Sequence, residues 1–101
     1  MDIFPGEIEE CLLKHPNVIE AIAFGISIND SEQEICAWVK LNSNSLETTP
    51  KELIKFCLDD DKLADYKVPK FVKIVQNFPT TKLGKYLRKE MEDQYKLELG
   101  L

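Results

Sequence analysis

An alternation of large and small apolar residues in the first half of the chain constrains the fold most. Between residues 18 and 28, large side chains fall on one face of an extended segment and small ones on the other. The two sets are Ile22, Phe24, Ile26 and Ile28, and Ala21, Ala23 and Gly25. The turn residues Asn29-Asp30-Ser31 then lead into a second alternating segment, Ile35–Leu41. The pattern predicts an antiparallel hairpin with one face small enough for close packing.

Three helices and a third strand are predicted around this hairpin. A first helix is expected over Pro5–His15, since proline suits a helix start and Pro16 stops the helix. Thr49 is expected to cap a second helix, with Glu52 completing a capping box. A strand over Phe71–Phe78 and a final helix over about Leu87–Leu97 follow. The order α-β-β-α-β-α indicates a compact α+β domain with about three strands, an antiparallel hairpin plus one strand, and three helices.

Length and composition fit one small domain spanning residues 1–101. Apolar residues make up 44% of the 101 positions, enough for one modest core. The net charge of −5 argues against a nucleic-acid partner. No apolar run approaches the length of a transmembrane segment.

The three cysteines each lie within an apolar pattern and form no C-x-x-C pair. We expect reduced, buried thiols, as in an intracellular protein of a reducing compartment; cytoplasm and mitochondrial matrix are not distinguished. No metal site is predicted, because His15 is the only histidine and the cysteines are widely spaced. His15 is interpreted as a cation or cap at a helix C-terminus, and Asp59-Asp60-Asp61 as a solvated acidic helix end.

Near the C-terminus, a loop of proline, hydroxyl residues and glycine delivers a lysine. Its residues are Pro79, Thr80, Thr81, Lys82, Leu83, Gly84 and Lys85. Pro79 fixes the entry to the loop, and Gly84 permits positive φ or a close approach to a ligand. The Lys85 ammonium suits an anionic centre such as a phosphate or carboxylate. Taken alone, the loop also fits an ordinary strand-to-helix turn with solvated lysines.

Further motifs precede this loop in a characteristic order. They are Ile3-Phe4-Pro5-Gly6-Glu7-Ile8-Glu9, His15-Pro16-Asn17-Val18, Glu34-Ile35-Cys36-Ala37-Trp38-Val39 and Tyr66-Lys67-Val68-Pro69-Lys70. As a set covering essentially the whole chain, they resemble the small C-terminal domain of the adenylate-forming enzymes, most of all the short- and medium-chain acyl-CoA synthetases. The resemblance implies that a large N-terminal AMP-binding domain, a hinge residue and a glycine-bearing loop lie upstream of Met1, and that the fragment alone is inactive.

The resemblance implies a two-step ligase. A carboxylic (fatty) acid attacks the α-phosphate of ATP, held with Mg²⁺, and the resulting acyl-adenylate then passes its acyl group to coenzyme A. Lys85 takes the position of the family's catalytic lysine, where an ammonium stabilises the charge of the first step. Lys82, Arg88 and Lys89 are poorer candidates, since Lys82 lies within the variable part of the loop and the other two start a helix.

A rotation of the domain between the two steps is also implied, and it exposes a coenzyme A face. Ala23, Gly25, Glu34 and Lys67 are the candidates for that face. The sequence has Glu32-Gln33-Glu34 where relatives tend to carry Gly-Glu-Glu, which bears on how closely coenzyme A approaches. Two alternatives stay open: a luciferase-like or carrier-protein-loading relative, and a non-catalytic interaction module.

Overall fold

The predicted hairpin is present in the computed structural model, which describes residues 5–42, 47–78 and 88–100. Strand β1, Val18–Ser27, pairs antiparallel with β2, Gln33–Leu41. β1 ends one residue earlier than predicted because Ile28 already belongs to the turn, where its N–H donates to the Glu32 carbonyl at 3.0 Å. The turn is closed by Asn29, whose side-chain oxygen accepts from the backbone N–H groups of Ser31 and Glu32.

The third strand, β3, runs parallel to β2 and is half as long as predicted. It covers Phe71–Ile74 and lies on the side of β2 opposite β1, so the sheet order is β1-β2-β3. The prediction of a strand reaching Phe78 was wrong. Val75 still donates to the Val39 carbonyl at 2.9 Å, but the chain then bends away at residues 76 and 77.

Three α-helices complete the predicted order among the described residues: α1 over Pro5–Leu13, α2 over Pro50–Leu58 and α3 over Arg88–Leu99. A short 3₁₀ helix, Asp65–Lys67, precedes β3. α1 ends two residues before the predicted His15 because Lys14 and His15 donate to carbonyls three residues back, which tightens the last turn. α3 continues two residues further than predicted, to Leu99, and is followed by Gly100, whose φ of 77° suits a helix end.

Helix α2 begins as its sequence predicts, with half of the capping box. The Thr49 side chain accepts from the backbone N–H of Glu52 at 3.2 Å. The Glu52 carboxylate contacts His15 Nε2 at 2.9 Å, so it ties α2 to the end of α1. α2 ends at Asp59, as the acidic run predicts.

The core consists of two clusters, one on each face of the sheet, as the alternation in β2 predicts. The cluster that we call the thiol face packs α1 and α2 on the sheet; its buried members are Ile8, Cys11, Leu12, Val18, Ala23, Ile35, Ala37, Val39, Leu53, Cys57, Leu63 and Val72. The cluster that we call the aromatic face packs α3 on the other side; its buried members are Ile22, Phe24, Ile26, Cys36, Trp38, Met91 and Tyr95. Met91 and Tyr95 thus make the packing contacts predicted for them, while Leu87 lies outside the described residues.

Candidate functional site

The lysine loop connects β3 to α3, and residues 79–87 lie outside the part of the chain that the structure describes. The catalytic assignment of Lys85 and the positioning roles of Pro79, Thr80, Thr81 and Gly84 therefore stay predictions. The elements on either side of the loop are docked to the sheet. β3 pairs with β2, and Met91 and Tyr95 of α3 are buried against the aromatic face.

The small-residue face of β1, predicted to contact coenzyme A, is occupied in part by α1. Ala23 is fully buried in the thiol face, and its N–H donates to Glu9 Oε2 at 2.8 Å. Gly25 is half-buried and lies opposite Ile35 in the hairpin register. The close packing for which this face is suited is therefore made by α1 at Ala23, and Gly25 is the more accessible of the two candidates.

Glu34 borders an open, polar depression at the end of the hairpin, with a volume of about 520 Å³. The depression is lined by Ser27 and by residues 29–34, among which Asp30, Glu32 and Glu34 are acidic. Lys70 lies near Glu34, with its Nζ 3.6 Å from Glu34 Oε1. A phosphate-bearing ligand here would meet three carboxylates, so it would depend on cations brought from elsewhere.

Lys67 lies in the 3₁₀ helix and contacts the first turn of α1. Its Nζ donates to Glu7 Oε2 at 2.7 Å and lies 5.8 Å from the centre of the Tyr66 ring. The hydrogen bond to Glu7 raises the pKa of Lys67 above its ordinary value. An anionic ligand that binds Lys67 would therefore compete with Glu7 for the ammonium.

His15 lies just after the C-terminal end of α1, where the sequence places it, and its side chain is buried. Its Nδ1 accepts from the backbone N–H of Asn17 at 3.1 Å, so Nε2 carries the proton that faces Glu52. The ring also packs edge-on against Phe56, with centroids 5.0 Å apart. These contacts join the end of α1 to α2.

The acidic residues 59–61 do not converge. Asp59 is the C-terminal cap of α2, and the Asp60 carboxylate accepts from Lys14 Nζ at 3.0 Å and from the Lys62 backbone at 2.8 Å. Those hydrogen bonds lower the pKa of Asp60 to about 2. Across residues 5–42, 47–78 and 88–100, no three His, Cys, Asp or Glu side chains are arranged to hold a metal ion. In the same ranges, no helix has the length and apolar character needed to cross a bilayer.

Most of the chain matches a known protein family. Residues 7–85 match the family described as AMP-binding enzyme C-terminal domain. The chain belongs to this family. The match runs from the first turn of α1 to Lys85, so it includes the lysine loop.

Two curated relatives of this AMP-binding enzyme C-terminal domain are CoA ligases. Over 100 residues the chain is 34% identical to the mitochondrial medium-chain acyl-CoA ligase of Danio rerio, covering 99% of this chain and 16% of that protein. It is 34% identical over 93 residues to a long-chain-fatty-acid–CoA ligase of Escherichia coli, covering 92% of this chain and 16% of that protein. A solved fatty acyl CoA synthetase of Mycobacterium tuberculosis superposes with a TM-score of 0.81 at 26% identity, covering 97% of this chain and 19% of that one. The chain thus spans 16% of the length of these curated relatives.

Two acidic residues of α1 in this AMP-binding enzyme C-terminal domain have roles that the sequence interpretation missed. In the sequence, Glu7 and Glu9 stand out only as members of the motif at the start of the first helix. In the structure, Glu7 pairs with Lys67 and Glu9 accepts from the outer edge of β1 at Ala23. Their partners are 60 and 14 residues away, so local spacing carried no signal for either contact.

Proposed function

We propose that this chain is the mobile C-terminal domain of an AMP-forming acyl-CoA synthetase. In the whole protein, a carboxylic acid and ATP form an acyl-adenylate and pyrophosphate, and coenzyme A then displaces AMP to give the thioester. The family match and the CoA-ligase names of the relatives support this proposal. The large N-terminal AMP-binding domain of the same protein is the expected partner, and it holds most contacts to ATP, Mg²⁺ and the acid.

The observation that carries the proposal is the family match through Lys85. Adenylation brings a carboxylate onto an anionic phosphate, and a cation between them stabilises the charge that builds up in the transition state. Lys85 follows the loop glycine Gly84, which is the position of the lysine in the family motif. Lys85 is proposed as the catalytic residue, and Pro79, Thr80, Thr81 and Gly84 as the residues that position it.

The docked elements on either side of the loop support this role. A catalytic cation has to be held in a defined geometry by elements that do not move independently of the domain. β3 and α3 meet that need, because β3 is paired with the central strand and α3 is anchored by Met91 and Tyr95. Rotation of the whole domain then carries Lys85 into and out of the nucleotide site.

For the thioester step we propose the surface formed by Gly25, Glu34 and Lys67, with Ala23 contributing through its backbone. Lys67 is the one of these four that can attract a phosphate, once Glu7 has been displaced. The relatives include a mitochondrial and a bacterial ligase. We accordingly propose an intracellular, reducing compartment, without a choice between cytoplasm and mitochondrial matrix.

The test uses the intact protein and separates the two half-reactions. Lys85→Ala is expected to lower acid-dependent pyrophosphate release on the order of 10²–10³-fold, by analogy with loss of an oxyanion donor. Thioester formation from a supplied acyl-adenylate and coenzyme A should change far less. Lys82→Ala is the matched control, since it removes a loop lysine outside the catalytic position, and its adenylation rate should stay near that of the wild type. Full adenylation by Lys85→Ala would overturn the proposal.

The same assay distinguishes the alternative acceptors. Intact protein supplied with acid, ATP and coenzyme A should accumulate the acyl-CoA thioester. Adenylate formation with no thioester, rescued by a phosphopantetheinylated carrier protein, would instead indicate a carrier-loading enzyme. A protein that makes no adenylate with a series of carboxylic acids, and binds a protein partner with Lys85 dispensable, would indicate an interaction module.

A further inference from the structure

An ammonium group joins strand β3 to helix α3 across the aromatic face. Lys73 Nζ lies 2.6 and 2.7 Å from the two carboxylate oxygens of Glu98. The same Nζ lies 4.5 Å from the centre of the Trp38 ring and 5.9 Å from that of the Tyr95 ring. The Lys73 side chain is 25% exposed. One cation therefore contacts a carboxylate and two rings in a setting that partly excludes water.

Lys73 and Glu98 belong to the segments that lead into and out of the lysine loop. Lys73 lies in β3, before the loop, and Glu98 lies in α3, which begins directly after residues 79–87. We propose that Lys73 is a positioning residue for adenylation, which holds α3 through Glu98 and thereby sets where the loop delivers Lys85. This inference rests on the proposed function, since it takes Lys85 to be the catalytic cation.

Helix α3 needs such a contact because little of its surface is apolar. Met91 and Tyr95 are buried in the aromatic face, and Leu99 is partly buried against it. These three residues form a narrow stripe with a spacing of four residues, and most of the others in the helix are charged. Packing along a narrow stripe leaves a helix free to turn slightly about its axis and to slide along the sheet. The bond from Lys73 to Glu98, one turn after Tyr95, limits both movements.

A displacement of α3 at Glu98 is carried along the whole helix. The helix has 12 residues and is a rigid rod, so turning or sliding at one end also moves the first turn, where the lysine loop ends. A misplacement of about 1 Å in a catalytic group can cost about 10²-fold in rate. Loss of the Lys73 cation is therefore expected to slow adenylation although Lys73 itself does not contact the substrates.

The test measures the two half-reactions of the intact protein. Lys73→Met keeps the aliphatic stem of the side chain and removes the cation. It should lower the kcat of acid-dependent pyrophosphate release about tenfold to a hundredfold, with KM for ATP and for the acid near the wild-type values, because a displaced Lys85 weakens binding of the transition state alone. Thioester formation from supplied acyl-adenylate and coenzyme A should change far less. Lys73→Arg should restore the rate, since a guanidinium pairs with carboxylates and stacks on aromatic rings.

Two further variants and one double variant complete the test. Glu98→Gln removes the other member of the ion pair and should slow adenylation in the same way. Asp93→Asn is the matched control, because it neutralises an acid of α3 whose partner, Lys89, lies 3.4 Å away in the same helix, and its adenylation rate should equal that of the wild type. Lys73→Met added to Lys85→Ala should cause no further loss, since Lys73 acts through Lys85.

Different results overturn this inference and the proposed function. A wild-type adenylation rate in both Lys73→Met and Glu98→Gln, with Lys85→Ala impaired, would overturn this inference alone. Equal losses in both half-reactions, or a further loss in the double variant, would indicate a merely structural role and overturn it as well. Full adenylation by Lys85→Ala would overturn the proposed function and this inference with it. Circular dichroism checks the fold of each variant, and if Lys73→Met is unfolded, Glu98→Gln and Asp93→Asn decide the outcome.

Discussion

One face of the sheet is covered by two helices, α1 and α2, and the other by α3 alone. The thiol face is built from aliphatic side chains and two thiols contributed by six segments of the chain, with no aromatic ring among its buried members in the described residues. The aromatic face rests on Trp38, against which Phe24 and Tyr95 pack edge-on with centroids 5.9 and 5.8 Å away. Many small contributions therefore hold one face, and a few large rings hold the other.

The two faces also differ in how their helices are tied at the surface. On the thiol face, Lys14, directly after α1, pairs with Asp60, which follows the C-terminal cap of α2. On the aromatic face, Lys73 of β3 pairs with Glu98 of α3, and its Nζ lies 4.5 Å from the Trp38 ring centre. Each ion pair joins a helix region to a different element. The Lys73–Glu98 pair also adds a cation–π contact to Trp38, at the centre of the aromatic face.

The largest effect is expected from Trp38→Ala, which removes the centre of the aromatic face. The side chain is 2% exposed, so truncation should lower the free energy of unfolding of this chain by about 3–5 kcal/mol. Trp38→Phe should cost much less, since Trp38 Nε1 has no hydrogen-bond partner among the described residues. Urea unfolding followed by circular dichroism measures both. Equal losses for the two variants would show that the indole itself, and not ring packing, supports this face.

The hairpin and its two faces could be predicted from the sequence because their causes are local. Alternation in β2 placed Ile35, Ala37 and Val39 on one face and Cys36 and Trp38 on the other, and the two core clusters confirm this division. The helix cap at Thr49 could also be predicted from the sequence, since its partner Glu52 is three residues away. Patterns of this kind are set by period and propensity, which a single sequence displays.

The contacts that define the candidate site were harder to predict, because they join distant parts of the chain. The Lys67–Glu7 pair and the Glu9–Ala23 hydrogen bond depend on how α1 packs over the sheet. No spacing rule fixes that packing. The length of β3 was also missed, since Val75 and Phe78 extend the apolar pattern while the chain bends at residues 76 and 77 and the pairing with β2 ends at Ile74.

Two substitutions of intermediate effect on the free energy of unfolding should show how differently the two faces contribute to stability. Leu53→Ala in α2 and Met91→Ala in α3 both truncate fully buried side chains, yet we expect losses of about 3–4 and about 2 kcal/mol, respectively. The Met91 loss is limited by the free energy that docks α3, because beyond that limit the helix leaves and the rest of the fold persists. Native-state hydrogen exchange should show lost protection in α3 alone for Met91→Ala and throughout the chain for Leu53→Ala. Global loss in both variants would contradict the difference between the faces.

The smallest effect is expected for the pH dependence of stability that the Lys14–Asp60 ion pair gives to the thiol face. The backbone of Lys62 and the Lys14 ammonium lower the pKa of Asp60 to about 2, below its ordinary value of 3.8. A carboxyl whose pKa is lower in the folded state adds stability that is fully present above about pH 4 and is lost as the pH falls toward 2. Urea midpoints measured from pH 5 to pH 2 should therefore fall less steeply for Asp60→Asn than for the wild type, while Asp61→Asn keeps the wild-type slope. Parallel curves for the wild type and Asp60→Asn would mean that Asp60 does not couple α1 to the end of α2, which would leave the His15–Glu52 contact and the packing of the helices to join them.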